Sequence, residues 1–173
     1  MLRLGLQTGL NHKRRSVVSA APPDVDVPVP YRYWRLYITA IDSGNIVTMA
    51  EVIYRESLGG AAVTGGTASA SSIYDGGFVA ANARDANAAT SWGSSNTSGP
   101  WWHKVDFGAG NDKAITHCDI QAQDTFGFYS SPVTFKMQHS DDDSAWTDAI
   151  VIVGDSGWAN SEIRQYGPDG RIV

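Results

Sequence analysis

Residues 84–92, Arg-Asp-Ala-Asn-Ala-Ala-Thr-Ser-Trp, bring a carboxylate, a carboxamide and a hydroxyl together at Asp85, Asn87 and Thr90. Oxygens of this kind suit a hard cation, since calcium takes about six to eight oxygen ligands, carboxylates and carbonyls among them. The same residue types also organise turns through bonds to their own backbone. The loop therefore reads either as a metal loop or as a self-capped turn. A second chemistry lies just beyond it. Recognition of a sugar needs a flat apolar surface for the C–H face of a pyranose and a few directional polar groups for its hydroxyls. Trp101, Phe126, Phe128 and Tyr129 offer the rings, and His103 and Arg84 offer polar groups. The Phe-Gly-Phe-Tyr run at 126–129 has no strand period and so no evident core to fill. His103 and Arg84 equally suit an ordinary strand surface.

Signals for catalysis are weak. The chain has no Gly-x-Ser-x-Gly elbow, no His-Glu-x-x-His and no phosphate loop, and His12, His103, His117 and His139 form no ligand spacing. The run Asp141-Asp142-Asp143 lacks the spacing and terminal Glu of an EF-hand and reads as a solvated turn. The expectation is a binding protein and not an enzyme.

These residues must be positioned by short strands. Trp34, Leu36 and Ile38 alternate with Tyr33, Arg35, Tyr37 and Thr39, as a half-buried strand requires. Asp42-Ser43-Gly44-Asn45 then marks a turn, and a second extended run covers residues 46–54. The Gly-, Ala-, Ser- and Thr-rich segment 59–72 lacks bulk and is expected to be a loop with one short edge strand. Further strands are expected at 102–107, 115–123, 133–139, 149–153 and 161–166, with Val133, Phe135 and Met137 on one face and Cys118, Ile120 and Ala122 on another. Gly- and Asp-rich turns separate them. No long amphipathic helix and no internal repeat is evident. The pattern fits an all-β sandwich.

At 173 residues the chain suits one domain with a sizeable core. The net charge of −5 argues against a nucleic-acid footprint, which needs clustered Lys and Arg. Charge is uneven: residues 1–30 hold four bases against two acids, net +2, and the remainder nine against 16, net −7. The first segment ends in a stretch with four prolines, which favours extended geometry. It is expected to be an arm, with the folded domain at 31–173. Cys118 is the single cysteine, so no internal disulfide or Cys-based zinc site forms. No apolar run is long enough to span a membrane, and no export signal is evident.

The spacing Ala83-x-Asp85-x-Asn87-x-x-Thr90-x-Trp92, followed by residues 102–108, resembles the discoidin family, also called the coagulation factor 5/8 type C or galactose-binding-like family. Residues 128–138, with Pro132 ahead of a strand, then Ser140-Asp141-Asp142 and Trp146, extend the likeness. It spans roughly residues 31–166. The resemblance implies a discoidin-like antiparallel β-sandwich or jelly roll behind an extended N-terminal arm. It further implies a structural calcium held by Asp85, Asn87, Thr90 and Glu51, with Trp92 and Trp102 packed inside. Ala86 stands where the family usually has Gly, the residue that takes positive φ at little cost. Residues 31–39 and 49–52 look like the family's C-terminal strand pair moved ahead of the rest, a circular permutation similar to discoidin-like domains of phage and prophage structural proteins. The function so implied is a carbohydrate-binding, lectin-like module, displayed in many copies on a virion or phage-like particle. It would adhere to bacterial cell-surface polysaccharide and join other particle subunits through its arm, without nucleic-acid binding or membrane insertion. The alternative is a structural virion protein that mediates protein–protein assembly and binds no sugar.

Overall fold

A computed structural model describes residues 28–95 and 97–172; most of the expected arm, residues 1–27, lies outside the described residues with Asn96 and Val173. In chain order the strands are β1 (Tyr33–Ile41), β2 (Thr48–Met49), β3 (Glu51–Arg55), β4 (Thr67–Ala70), β5 (Trp92–Gly93) and β6 (Trp101–Asp106). They continue as β7 (His117–Gln121), β8 (Pro132–Ser140), β9 (Thr147–Ile152), β10 (Ile163–Gly167) and β11 (Gly170–Ile172). A 3-10 turn, Ala80–Arg84, and a single helical turn, α1 (Gly127–Ser130), complete the described elements.

The strands form a five-stranded sheet in the order β4-β6-β1-β8-β9, a four-stranded sheet in the order β11-β10-β7-β3, and a small β2-β5 pair. All pairings are antiparallel. The architecture is the expected all-β sandwich. β1 lies at the centre of the larger sheet because its alternation gives it one wholly apolar face: Trp34, Leu36 and Ile38 are buried. In register, Leu36 faces His103 of β6 and Met137 of β8, while Ile38 faces Trp101 and Phe135. Phe135 reaches across to the other sheet and meets Tyr166 edge-on, with ring centroids 5.0 Å apart. Burying each such side chain contributes roughly 1.5–3 kcal/mol. The buried indoles keep their N–H groups bonded, Trp34 to the Lys113 carbonyl at 3.0 Å and Trp92 to the Ser72 carbonyl at 2.9 Å.

Two details differ from the sequence reading. The run expected at 46–54 breaks at Ala50, whose amide instead bonds the Gln121 carbonyl at 2.9 Å, giving β2 and β3. The tryptophans of β6 also take the phase opposite to the one expected. Trp101, His103 and Val105 point inward, and Trp102 and Lys104 lie on the outer face. A strand alternates with a period of two, so a choice of phase settles every side chain at once. Val105 and Phe107 are apolar and share the phase of Trp101, whereas Lys104 and Asp106 share that of Trp102.

Candidate functional site: an aromatic pocket and an oxygen-rich loop

Two loops built without strand periodicity meet beside the β2-β5 pair. Residues 73–78 fold back on β5: the Tyr74 amide bonds the Gly93 carbonyl at 2.7 Å, and the Asp75 carboxylate caps the Gly77 amide at 2.7 Å. On the other side, Gln123 accepts the Phe126 amide and α1 follows. Gly127 is required there, since a Cβ would stand 2.7 Å from the Ala122 methyl. Tyr74 and Phe78 pack edge-to-face, and Phe126 and Tyr129 tilt against each other, with centroids 5.7 Å apart in both pairs.

The rings enclose a cavity of about 260 Å³ with Ile46, Thr48, Gly93 and Ser130. Ser130 Oγ donates to the Phe126 carbonyl at 2.6 Å, so Thr48 Oγ1 donates to Ser130 Oγ at 2.5 Å. Both floor hydroxyls therefore spend their protons inside the protein, and the walls offer mainly ring faces. Tyr74 is 58% exposed and Phe126 43%, unlike the tryptophans of the core. Such a cavity can stack an apolar face and exclude water from it.

Phe126 and Tyr129 are thus brought together as candidate ligand residues, and Tyr74, Phe78 and Ile46 join them. The sequence reading did not single out these last three. For Tyr74 and Phe78 the signal is the one that marks 126–129, bulky apolar residues in a segment with no period, whereas Ile46 only opens the extended run 46–54. For Phe128 the backbone belongs to α1, and its side chain lies outside the described residues.

The other expected sugar contacts lie elsewhere. Trp101 and His103 are in the core, 5% and 0% exposed. His103 Nε2 bonds the Ala80 carbonyl at 2.9 Å and so carries the proton, while Nδ1 is buried without a partner. Burial pushes the ring's pKa down to about 4 and keeps it neutral. Arg84 turns inward, donating to the Val52 carbonyl at 2.9 Å and the Val63 carbonyl at 2.7 Å with its guanidinium above the Tyr54 ring. It links the 3-10 turn to β3 and, with Glu51 and Val63, lines a cleft separate from the four rings.

The oxygen-rich loop does assemble. Ala86 takes φ +60°, which turns the chain so that the Asn87 amide points at two carboxylates, Glu51 Oε1 at 2.7 Å and Asp85 Oδ1 at 2.9 Å. Thr90 Oγ1 lies 2.8 Å from both Asp85 Oδ2 and the Asn87 carbonyl. Glu51 is only 4% exposed. Burial raises its pKa to about 7 against the pull of the Asn87 amide, and the neighbouring Asp85 charge raises it further.

Among the described residues no group of three or more His, Cys, Asp or Glu side chains is arranged for a metal. A cation here would rest on two carboxylates with carboxamide, hydroxyl and main-chain oxygens. That donor set fits a hard cation, because two adjacent carboxylates, one of them buried, have only the more distant pull of the Arg84 charge on Glu51 to offset them.

The family model for the F5/8 type C domain matches residues 67–166. No curated protein and no solved structure matches the chain. F5/8 type C domains are often carbohydrate- or ligand-binding modules and are generally non-catalytic. The match runs from β4 through most of β10, taking in the oxygen-rich loop, the ring pairs and strands of both sheets of the sandwich, and the chain belongs to the F5/8 type C domain family.

Proposed function

We infer that this domain is a carbohydrate-binding module whose ligand surface is the pocket of Tyr74, Phe78, Phe126 and Tyr129. The observation that carries this reading is the convergence of two ring pairs, from loops far apart in sequence, on one open apolar cavity. Stacked rings meet the C–H face of a sugar, and the loops around them leave room for its hydroxyls to stay hydrated. Asp85, Glu51, Asn87 and Thr90 would hold a structural calcium, whose charge would neutralise the two carboxylates and stiffen the loop.

The wider setting follows the resemblance. The family match begins at residue 67, yet β1 occupies the centre of the larger sheet. This supports a circular permutation, which costs little where termini lie at the surface. The basic, proline-ended segment 1–30 would anchor the module to other subunits of a virion or phage-like particle. Display in many copies would turn weak single-site binding to bacterial cell-surface polysaccharide into firm adhesion.

The test is binding of the full chain to a glycan array and to bacterial cells, alongside Tyr74→Ala and Phe126→Ala. Glycan binding that falls at least tenfold in both variants, with melting unchanged, supports the reading. A chain that binds neither glycans nor cells, yet still incorporates into particles, overturns it in favour of the assembly role.

A further inference from the structure

The outer face of the five-stranded sheet carries aromatic rings and cations in alternation. From β1 come Tyr33, Arg35 and Tyr37, with Trp102 opposite Tyr37 and Lys104 opposite Arg35 on β6. Lys104 Nζ sits between two rings, 5.3 Å from the centroid of Trp102 and 5.8 Å from that of Tyr33. The Arg35 guanidinium lies 3.9 Å from the Trp146 centroid and 4.9 Å from that of Tyr37. Arg35, Trp102, Lys104 and Asp143 line a cleft of about 180 Å³, separate from the aromatic pocket.

Arg35 differs from the other arginines of the described residues. Arg32, Arg55, Arg164 and Arg171 each pair with a carboxylate, and Arg84 bonds two carbonyls. Arg35 donates only its Nε, to the neutral Gln138 Oε1 at 2.8 Å. The nearby acids are engaged by others: Asp143 takes Lys104 at 2.5 Å, and Asp148 takes Lys136 at 2.7 Å and Gln138 at 2.6 Å. Both Nη groups of Arg35 therefore remain without a protein acceptor among the described residues, on a half-buried cation fixed between two rings.

A planar guanidinium fork matches a carboxylate in bidentate fashion, and the flanking rings are suited to the C–H face of a pyranose. We propose that this face is a second glycan site, selective for a carboxylate-bearing sugar, with the sugar's carboxylate on Arg35 and its ring against Trp102. Arg35 is the one cation of the cleft not already paired with a carboxylate, which suits a single sugar carboxylate and not the run of phosphates that a nucleic acid presents.

The test uses the full chain with oligogalacturonate, with its methyl ester, and with a hyaluronan hexasaccharide, followed by calorimetry and by the indole signals of Trp102 and Trp146 in NMR spectra. At least one acidic oligosaccharide should bind and move those indoles. Esterification should weaken binding at least tenfold, and acetate at equal carboxylate concentration should not compete. Arg35→Gln and Trp102→Ala should each lose at least tenfold, while Tyr74→Ala in the aromatic pocket should bind as wild type. Equal affinity for acid and ester, competition by acetate, full binding by a folded Arg35→Gln chain, or no binding of either acidic oligosaccharide would overturn the proposal. Should Arg35→Gln fail to fold, the ester comparison and Trp102→Ala decide. Loss of this site leaves the pocket reading untouched, because the two surfaces share no residue.

Discussion

Glu51 Oε1 accepts the Asn87 amide at 2.7 Å, tying the buried start of β3 to an exposed loop 36 residues further along the chain. Asp85 accepts the same N–H at 2.9 Å, so one backbone donor serves two carboxylates that repel each other. A calcium ion at this point would bind the folded chain and not the unfolded one. At a hundredfold excess over its Kd it would add about 2.7 kcal/mol, a rise in Tm of about 5–10 °C for a chain of this size. Calorimetric melting with calcium and with a chelator measures the difference. Asp85→Ala should abolish it, and identical curves for the wild-type chain would sink the calcium site.

Glu51 and His103 oppose each other in their effect on stability with pH. The folded pKa of Glu51, about 7, lies above its ordinary 4.5, so the protonated carboxyl stabilises the fold below pH 4.5 and that contribution fades as pH rises through 7. His103 has a folded pKa of about 4 against 6.5, so its contribution is complete above pH 6.5 and is lost as pH falls through 4. Each shift corresponds to something on the order of 3 kcal/mol, and the two nearly cancel between pH 4.5 and 6.5. In a chelator, which keeps calcium off Glu51, urea midpoints over this range should be almost flat from these two groups in the wild-type chain. In Glu51→Gln they should climb steeply with pH. A variant curve parallel to wild type would rule out the buried carboxyl as a titrating group.

Arg84 and Tyr74 should separate stability from recognition. Arg84→Met leaves the carbonyls of Val52 and Val63 without their charged donor and should cost about 2–4 kcal/mol, read as a lower urea midpoint. Its glycan binding at a temperature where it remains folded should equal wild type. Tyr74→Ala removes an exposed ring and should do the reverse. A stable Arg84→Met chain with lost binding would return Arg84 to the ligand site.

Much of the sandwich was legible because its strands obey a period of two. Trp34, Leu36 and Ile38, then Val133, Phe135 and Met137, announce their buried faces, and both runs became long central strands. β5 and β11 were not legible, since two or three residues are too few to show a period and their pairing depends on partners distant in the chain. The oxygen-rich loop was legible as a set of residue types, and its link to Glu51 came through resemblance. His103 and Arg84 show the limit of residue chemistry alone: a polar side chain suits a ligand or a buried carbonyl equally well until the neighbouring strands are placed. The pocket emerged only in three dimensions, because Tyr74 and Phe126 lie 52 residues apart in the numbering and meet through β5 and α1.

Ala86 offers a local test of that loop. Its φ of +60° costs a non-glycine residue roughly 1–2 kcal/mol in backbone sterics. Replacing it with glycine relieves that strain but loosens the unfolded chain by roughly 0.5–1 kcal/mol. Ala86→Gly should therefore stabilise the domain by about 0.5–1 kcal/mol, a rise of about 1–4 °C in Tm. Ala88, two residues on and also exposed, has no positive φ, so Ala88→Gly pays only the entropic penalty and should melt lower than wild type. Melting curves of the two variants under one set of conditions give the comparison. If both fall by the same amount, the left-handed turn at Ala86 is not what aims the Asn87 amide at Glu51 and Asp85.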